Sequence, residues 1–232
     1  MSHHSLLTEL KKNRGKGTLW SDSDSYLSSG HYYYSVSVPI RRKIAEDWLK
    51  KNRKISQKDF AKVIDSLYKG KSHEEKSIAS MLLGYSYHRR EKIRVKQLAV
   101  WLNHLSGWAE IDSLCQNIFT AKEILKDWEK WSAFIRQLSK DENINKRRAS
   151  LVFLTSPVTY SNDKKLLNFS FEIIEKLKHE KPILITKAIS WLLRSTVTLH
   201  KREVSVYINK NLKTLPKIAI RETLRKIRTG RK

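Results

Sequence analysis

The stretch Gly107–Cys115, GWAEIDSLC, stands near the middle of the chain and has the spacing of an amphipathic helix. Its apolar residues return every three or four positions and continue just beyond it, at Ile111, Leu114, Cys115 and Ile118. The pattern predicts a helix over residues 108–119, with Gly107 ending the helix before it. Because Trp108 and Asp112 are four residues apart, they should share one face of that helix, one turn from each other.

Helical spacing recurs on both sides of this stretch. The clearest apolar stripe before it comprises Phe60, Val63, Ile64, Leu67 and Tyr68. Ser72 and Glu75 have the spacing of a capping box, which marks a helix start. Pro39, Pro182 and Pro216 also stand where a helix is predicted to begin, a position that proline favours. Few glycines and prolines interrupt these patterns, so the sequence favours long helices over a turn-rich β fold.

About a dozen helices and no convincing strand are predicted in this way. In the second half they cover residues 121–138, 143–155 and 163–178, a helix that carries Trp191, one around Tyr207, and a last one after Pro216. Helix pairs recur about every 35–45 residues, the period of HEAT-like repeats. We therefore predict an all-α fold, an α-solenoid of stacked HEAT-like helix pairs with a concave basic cleft. Residues 1–232 should form a single domain, with less regular N-terminal helices over 1–35 and a basic tail over 225–232.

The excess of basic residues indicates what kind of partner the protein binds. The 232 residues include 47 basic and 23 acidic ones, a net charge of +24, which exceeds what solubility requires. A polyanion is the natural partner of such a chain, and nucleic acid is the commonest polyanion. A membrane surface is the rival, but no helix combines one strongly basic face with one strongly apolar face. A basic surface that is merely solvated is the remaining alternative.

Residue types exclude several other classes of protein. Cys115 is the single cysteine, so a disulfide framework and a cysteine-based zinc site are excluded, and we expect a small buried apolar residue. The histidines are scattered and no Gly-rich phosphate-binding motif occurs, so we expect neither a metal site nor a cofactor. The longest apolar run, Leu98–Leu102, is far too short to cross a bilayer. With no signal peptide apparent, we expect a cytoplasmic protein that is nucleoid-associated when bound to DNA.

Five motifs, in this order and spacing, resemble one known family. They are VPIRR at 38–42, WAEIDS at 108–113, RRA at 147–149, KAISWLLR at 187–194 and RETL at 221–224. The chain, from about Tyr26 to Arg228, resembles the HEAT-like-repeat DNA alkylation repair glycosylases of the AlkD type. One departure stands out, because Ser35 occupies a place where the family usually has glycine.

The resemblance implies a set of site residues. Its cleft residues fall on Trp108, Asp112, Arg148 and Trp191, and a cleft tyrosine falls on Tyr26. Further contacts to the DNA backbone are expected from Pro39, Arg41, Arg42, Arg89, Arg90, Arg147, Lys187 and Arg194. Each residue type also has an ordinary explanation: the tryptophans could be core residues, Asp112 a helix N-terminal charge, and Arg148 a solvated arginine.

The chemistry of these residues suits a cationic alkylated purine, such as 3-methyladenine or 7-methylguanine. Such a base is already a good leaving group, and the bond breaks toward an oxocarbenium-like sugar. Asp112 could stabilise that sugar and place a water, while the two indoles attract the cationic nucleotide. We therefore expect a monofunctional glycosylase acting on double-stranded DNA that contains alkylated bases, with no obligate protein partner. The alternatives are a non-catalytic HEAT-repeat protein that recognises damaged or branched DNA by shape, and a protein scaffold.

Overall fold

The computed structural model describes residues 3–15, 24–116 and 118–231. In this part of the chain the regular structure is helical, and the β pairing is an isolated bridge between Tyr32 and Ser72. The prediction of an all-α fold is confirmed, and the stacked helices are those of an α-solenoid. The chain divides into two compact units, Met1–Leu114 and Cys115–Lys232. That the two units form one HEAT-like domain with a concave cleft stays a prediction.

The described residues of the first unit, 3–15 and 24–114, form eight helical segments. They are α1 (His3–Lys12), α2 (Asp24–Leu27), α3 (Val38–Lys51), α4 (Gln57–Tyr68), α5 (His73–Tyr85), α6 (Tyr87–Arg90), α7 (Val95–Leu102) and α8 (Gly107–Cys115), whose last residue begins the second unit. Helix α5 packs against α3 and α4, and α1 packs on all three. The predicted capping box is confirmed, since Ser72 and Glu75 each bond the other's backbone N–H.

Where the structure describes the second unit, at 115–116 and 118–231, six further helices follow. They are α9 (Ala121–Lys126), α10 (Trp128–Leu138), α11 (Ile144–Tyr160), α12 (Lys164–Leu177), α13 (Ile183–Lys210) and α14 (Lys217–Thr229). Helix α11 is central, because α9, α10, α12 and α13 all contact it, and α14 packs against α13. An aromatic cluster in its core joins Phe119, Trp131, Phe134 and Phe153, with ring centroids 5.0 to 6.2 Å apart.

Some of the predicted helix boundaries were wrong. Gly107 begins α8 instead of ending the helix before it, which stops at Leu102. Helix α8 itself ends at Cys115, short of residue 119. The helix predicted over 121–138 is broken at Asp127, whose ψ of 46° is non-helical. By contrast, the two helices predicted around Trp191 and Tyr207 are both present within Ile183–Lys210, where a kink at His200, with φ −130° and ψ 42°, separates them.

The structure shows how Ser35 is accommodated at the position where the family it resembles usually has glycine. Its φ is 58°, in the left-handed region that glycine adopts most readily. The backbone N–H groups of Tyr34 and Val36, on either side of it, both donate to the carboxylate of Glu74, over 3.0 and 3.3 Å. The Glu74 carboxylate of α5 therefore stabilises the turn, and serine adopts here a backbone conformation that usually requires glycine.

Candidate nucleic-acid interface

A buried carboxylate anchors the first turn of α8. Glu110 is fully buried, its Oε1 lies 3.0 Å from His31 Nδ1 and 3.3 Å from His73 Nδ1, and the Ser106 N–H donates to its Oε2 over 3.0 Å. Burial alone would raise the pKa of the Glu110 carboxyl, but these hydrogen bonds outweigh it and lower that pKa. The ionised carboxylate thus ties α8 to the loop of His31 and to the start of α5.

Gly107 lets the chain around Leu27 approach the same helix end. Its φ is +69°, and a Cβ built on it would lie 2.1 Å from the carbonyl oxygen of Leu27 and 2.6 Å from that of Ser28. Only glycine leaves room for this backbone contact, which brings α2 against the N-terminus of α8.

That contact brings two of the predicted site residues together. The Trp108 indole Nε1–H donates to the carbonyl of Tyr26 over 2.7 Å, and the two rings meet edge to face with centroids 5.2 Å apart. Trp108 is half-buried and Tyr26 is 46% exposed. The indole is therefore oriented by its neighbour instead of being packed into the core. As the spacing predicted, Asp112 lies one turn further along α8. Its side chain is also half-buried.

Replacing Gly107 by alanine should disrupt this corner. The left-handed backbone alone costs about 1–2 kcal/mol for an L-residue, and the new methyl group would overlap the Leu27 carbonyl. We expect the free energy of unfolding to fall by at least about 2 kcal/mol, measured by circular dichroism in urea. The matched control is Gly84→Ala, because Gly84 lies in α5 with open space around it; that variant should be unchanged or up to about 1 kcal/mol more stable. Equal stability of the two variants would contradict the close approach.

In the second unit, α11 and α13 build a cavity of about 260 Å³. It is lined by Arg148, Lys187, Trp191, Arg194 and Glu222. Four of these were predicted from two separate motifs, and the fold brings them to one place. Arg148 is only 5% exposed and its Nη1 donates to the carbonyl of Leu184 over 2.6 Å, so it is not an ordinary solvated arginine.

Glu222 was missed by the sequence analysis as a site residue. Its Oε2 accepts a 2.5 Å hydrogen bond from the Ser190 hydroxyl and lies 3.4 Å from Arg194 Nε. The motif at 221–224 contained this residue, but nothing in the sequence showed that α14 would bring it to the arginine of α13. It acts as a fixed counter-charge that positions Arg194.

A second cavity, of about 290 Å³, shares Trp191 and Arg194 with the first. Its other lining residues come from α11, α13 and α14, with Gln116 added. The sequence analysis did not predict it, because half of its ten lining residues are serines and threonines, which belong to no motif.

Several arginines predicted as DNA contacts are engaged within the protein. Arg147 bonds both carboxylate oxygens of Glu180, over 2.8 and 3.1 Å. Arg89 donates to the Arg53 carbonyl over 2.8 Å. Two are buried, Arg41 and Arg90. Burial lowers the pKa of Arg41.

By contrast, Pro39, Arg42 and Lys187 are exposed. Pro39 stands in the first turn of α3, where the Ser37 side chain makes no capping hydrogen bond. The backbone N–H groups of that turn can therefore meet an anion, as helix N-termini do. The DNA contacts of all these residues stay predictions.

The described residues contain neither a metal-ligand cluster nor a membrane-spanning helix. No group of three or more His, Cys, Asp or Glu side chains there could hold a metal ion. None of the helices in residues 3–15, 24–116 and 118–231 is long and apolar enough to span a membrane.

A family model described as DNA alkylation repair enzyme matches residues 7–227. A solved structure, a predicted DNA alkylation repair enzyme from Enterococcus faecalis, superposes with a TM-score of 0.70 at 16% identity, covering 86% of this chain and 90% of that one. At this identity the likeness concerns the fold. No curated protein matches the sequence.

Proposed function

We propose, from the premise that this chain belongs to the DNA alkylation repair enzyme family, that it is a monofunctional DNA glycosylase. Membership of the family gives the chain a role in the repair of alkylation damage. The proposal adds the reaction and the substrate: hydrolysis of the N-glycosidic bond of cationic alkylated purines in double-stranded DNA. It uses neither a metal nor a cofactor.

One observation carries the proposal. Arg148 on α11 and three residues of α13, Lys187, Trp191 and Arg194, line a single cavity of about 260 Å³. Three cations surround one indole there, against the single carboxylate of Glu222. A guanidinium suits a backbone phosphate, because its forked N–H groups match the phosphate oxygens. The indole offers its π face to a cationic nucleotide, an attraction of about 0.5–2 kcal/mol.

In this mechanism Asp112 supplies negative charge to the sugar. As the cationic base departs with the bonding electrons, it becomes neutral and positive charge develops on the sugar. The Asp112 carboxylate stabilises that charge and orients the water that attacks the anomeric carbon. A proton donor to the leaving base is not needed, because alkylation has already made the base a good leaving group. Trp108, whose indole Nε1–H donates to the Tyr26 carbonyl over 2.7 Å, offers a π face to a cationic base one turn from Asp112.

A panel of damaged duplexes in chelator tests the proposal. One duplex carries 7-methylguanine, one a bulky cationic adduct, and one a neutral lesion such as uracil. We expect both cationic bases to be released at full rate in chelator, and the neutral base to remain. Neutral bases leave poorly without protonation, and selection by charge requires no fitted pocket. Removal of uracil, rejection of the bulky cation, or activity that depends on added zinc or magnesium would contradict the mechanism. Tight DNA binding without release of any base would favour the non-catalytic alternative.

A further inference from the structure

Eight of the ten residues that line the cavity of about 290 Å³ in the second unit have no part in the proposed reaction. We call this cavity the hydroxyl cavity, because its walls include the side-chain hydroxyls of Thr155, Ser156, Thr159, Ser195 and Thr198. Trp191 and Arg194 belong to it and also to the cavity of Arg148. A ligand in the hydroxyl cavity would therefore touch the same indole and guanidinium as the proposed substrate.

The charge of the hydroxyl cavity suits an anion. Two of its lining residues are cations, Arg194 and Lys226, and no carboxylate lines it. Glu222, which lines the other cavity, bonds Arg194 from that side. Lys226 Nζ makes one hydrogen bond, to the Gly230 carbonyl over 2.8 Å. An ammonium group has three N–H donors, so two of them can meet a ligand.

Two of the five hydroxyls have already donated their proton within the protein, and three can still donate to a ligand. Thr155 and Thr159 each donate their proton to a carbonyl of α11, over 2.8 and 2.7 Å. The hydroxyls of Ser156, Ser195 and Thr198 donate to no group within the described part of the chain. Three hydroxyl donors beside two cations match the several acceptor oxygens of a phosphate.

Size favours a phosphate that is part of a chain. Since a water molecule takes about 30 Å³ in the liquid, a cavity of about 290 Å³ holds more than an isolated phosphate ion. It has room for the sugar attached to that phosphate. The ring of Tyr160, which is 78% exposed and also lines this cavity, offers an aromatic edge for such a group.

We propose that the hydroxyl cavity binds one phosphodiester group of the DNA strand, adjacent to the phosphate held at Arg148. This inference rests on the DNA binding of the proposed function, and Trp191 and Arg194 connect the two sites because they line both. The cavity would set the register of the strand, so that a particular nucleotide meets Trp191.

Two variants test the assignment without touching the shared residues. Lys226→Gln removes a charge, and Thr198→Val removes one donor at nearly constant shape. The matched control is Lys217→Gln, an exposed lysine of the same helix that lines neither cavity. Thermal unfolding establishes that the variants fold. Affinity for duplex DNA is then measured across a salt series.

The measurement is repeated on duplexes in which one phosphate at a time is a neutral methylphosphonate. For Lys226→Gln we expect the slope of log affinity against log salt to fall in magnitude by about 1. One methylphosphonate position should weaken binding of the parent protein more than it weakens binding of Lys226→Gln or of Thr198→Val, because each variant has already lost one contact to that phosphate. Lys217→Gln should respond to that position as the parent does.

Two results would overturn the assignment. One is a salt slope of Lys226→Gln equal to that of Lys217→Gln. The other is a scan in which, at every position, the methylphosphonate lowers the DNA affinity of both variants by the same factor as that of the parent protein. Binding of inorganic phosphate is measured on the same proteins. If Lys226→Gln lost phosphate binding but kept the parent's salt dependence of DNA affinity, the cavity would bind the free ion and not a phosphodiester of the strand. Base release is assayed separately. If the methylphosphonate and the variants act non-additively on binding but no base is released, the phosphate site stands and the glycosylase reaction is rejected. If bases are released but the effects on binding are additive, the reaction stands and the phosphate site is rejected.

Discussion

The Asp112→Asn variant is expected to release alkylated bases about two to three orders of magnitude more slowly than the parent protein. Asparagine keeps the shape of the side chain and removes its charge. A carboxylate about 4 Å from a developing cation, at an effective dielectric near 20, contributes roughly 4 kcal/mol. At about 1.4 kcal/mol per tenfold, that contribution corresponds to roughly a thousandfold in rate.

Single-turnover release of 7-methylguanine measures the effect, with DNA affinity determined in parallel. Affinity should hold or rise, because a negative charge leaves a basic surface. Asp47→Asn is the matched control, since Asp47 is a partly exposed aspartate of α3 whose nearest cation, Lys50, lies 4.0 Å away. It should release bases at the parent rate. Release by Asp112→Asn within a few-fold of the parent would make Asp112 a structural residue.

Affinity for duplex DNA is expected to fall by about 10³–10⁵ when salt rises from about 50 to 200 mM, as for a protein with roughly six to ten phosphate contacts. The net charge of +24 supplies the cations for such contacts. Each neutralised phosphate releases counterions, so binding weakens steeply as salt is added. Fluorescence anisotropy of a labelled duplex across the salt series gives the slope directly.

Single variants show which cations contribute to that slope. Arg42→Gln, at an exposed position, should lower its magnitude by about 1. Lys130→Gln is the control, because Lys130 is held by both carboxylate oxygens of Asp127 over 3.0 Å, in the second unit. It should leave the slope unchanged. A nearly flat salt response of the parent protein would mean that DNA is not the partner of the basic surface.

Local patterns sufficed for much of the fold. The apolar stripes gave the helices because their period depends only on neighbours in the chain, and the Ser72–Glu75 capping box formed as its spacing predicts. Cys115 is buried, as expected for a small apolar residue. Boundaries failed where backbone angles depend on distant contacts. Gly107, for instance, has its positive φ where the Leu27 carbonyl approaches it.

The candidate site divides in the same way. The one-turn spacing of Trp108 and Asp112, the motif around Trp191 and the excess of basic residues are properties of the sequence itself. Which arginines are exposed is not such a property, because Arg42 is open to solvent while Arg41, its neighbour in the chain, is buried. Only the packing of α11, α13 and α14 decides that Glu222 meets Arg194 and that five hydroxyls line one cavity. Chain spacing reports the face of one helix, whereas contacts between helices depend on how their faces pack together.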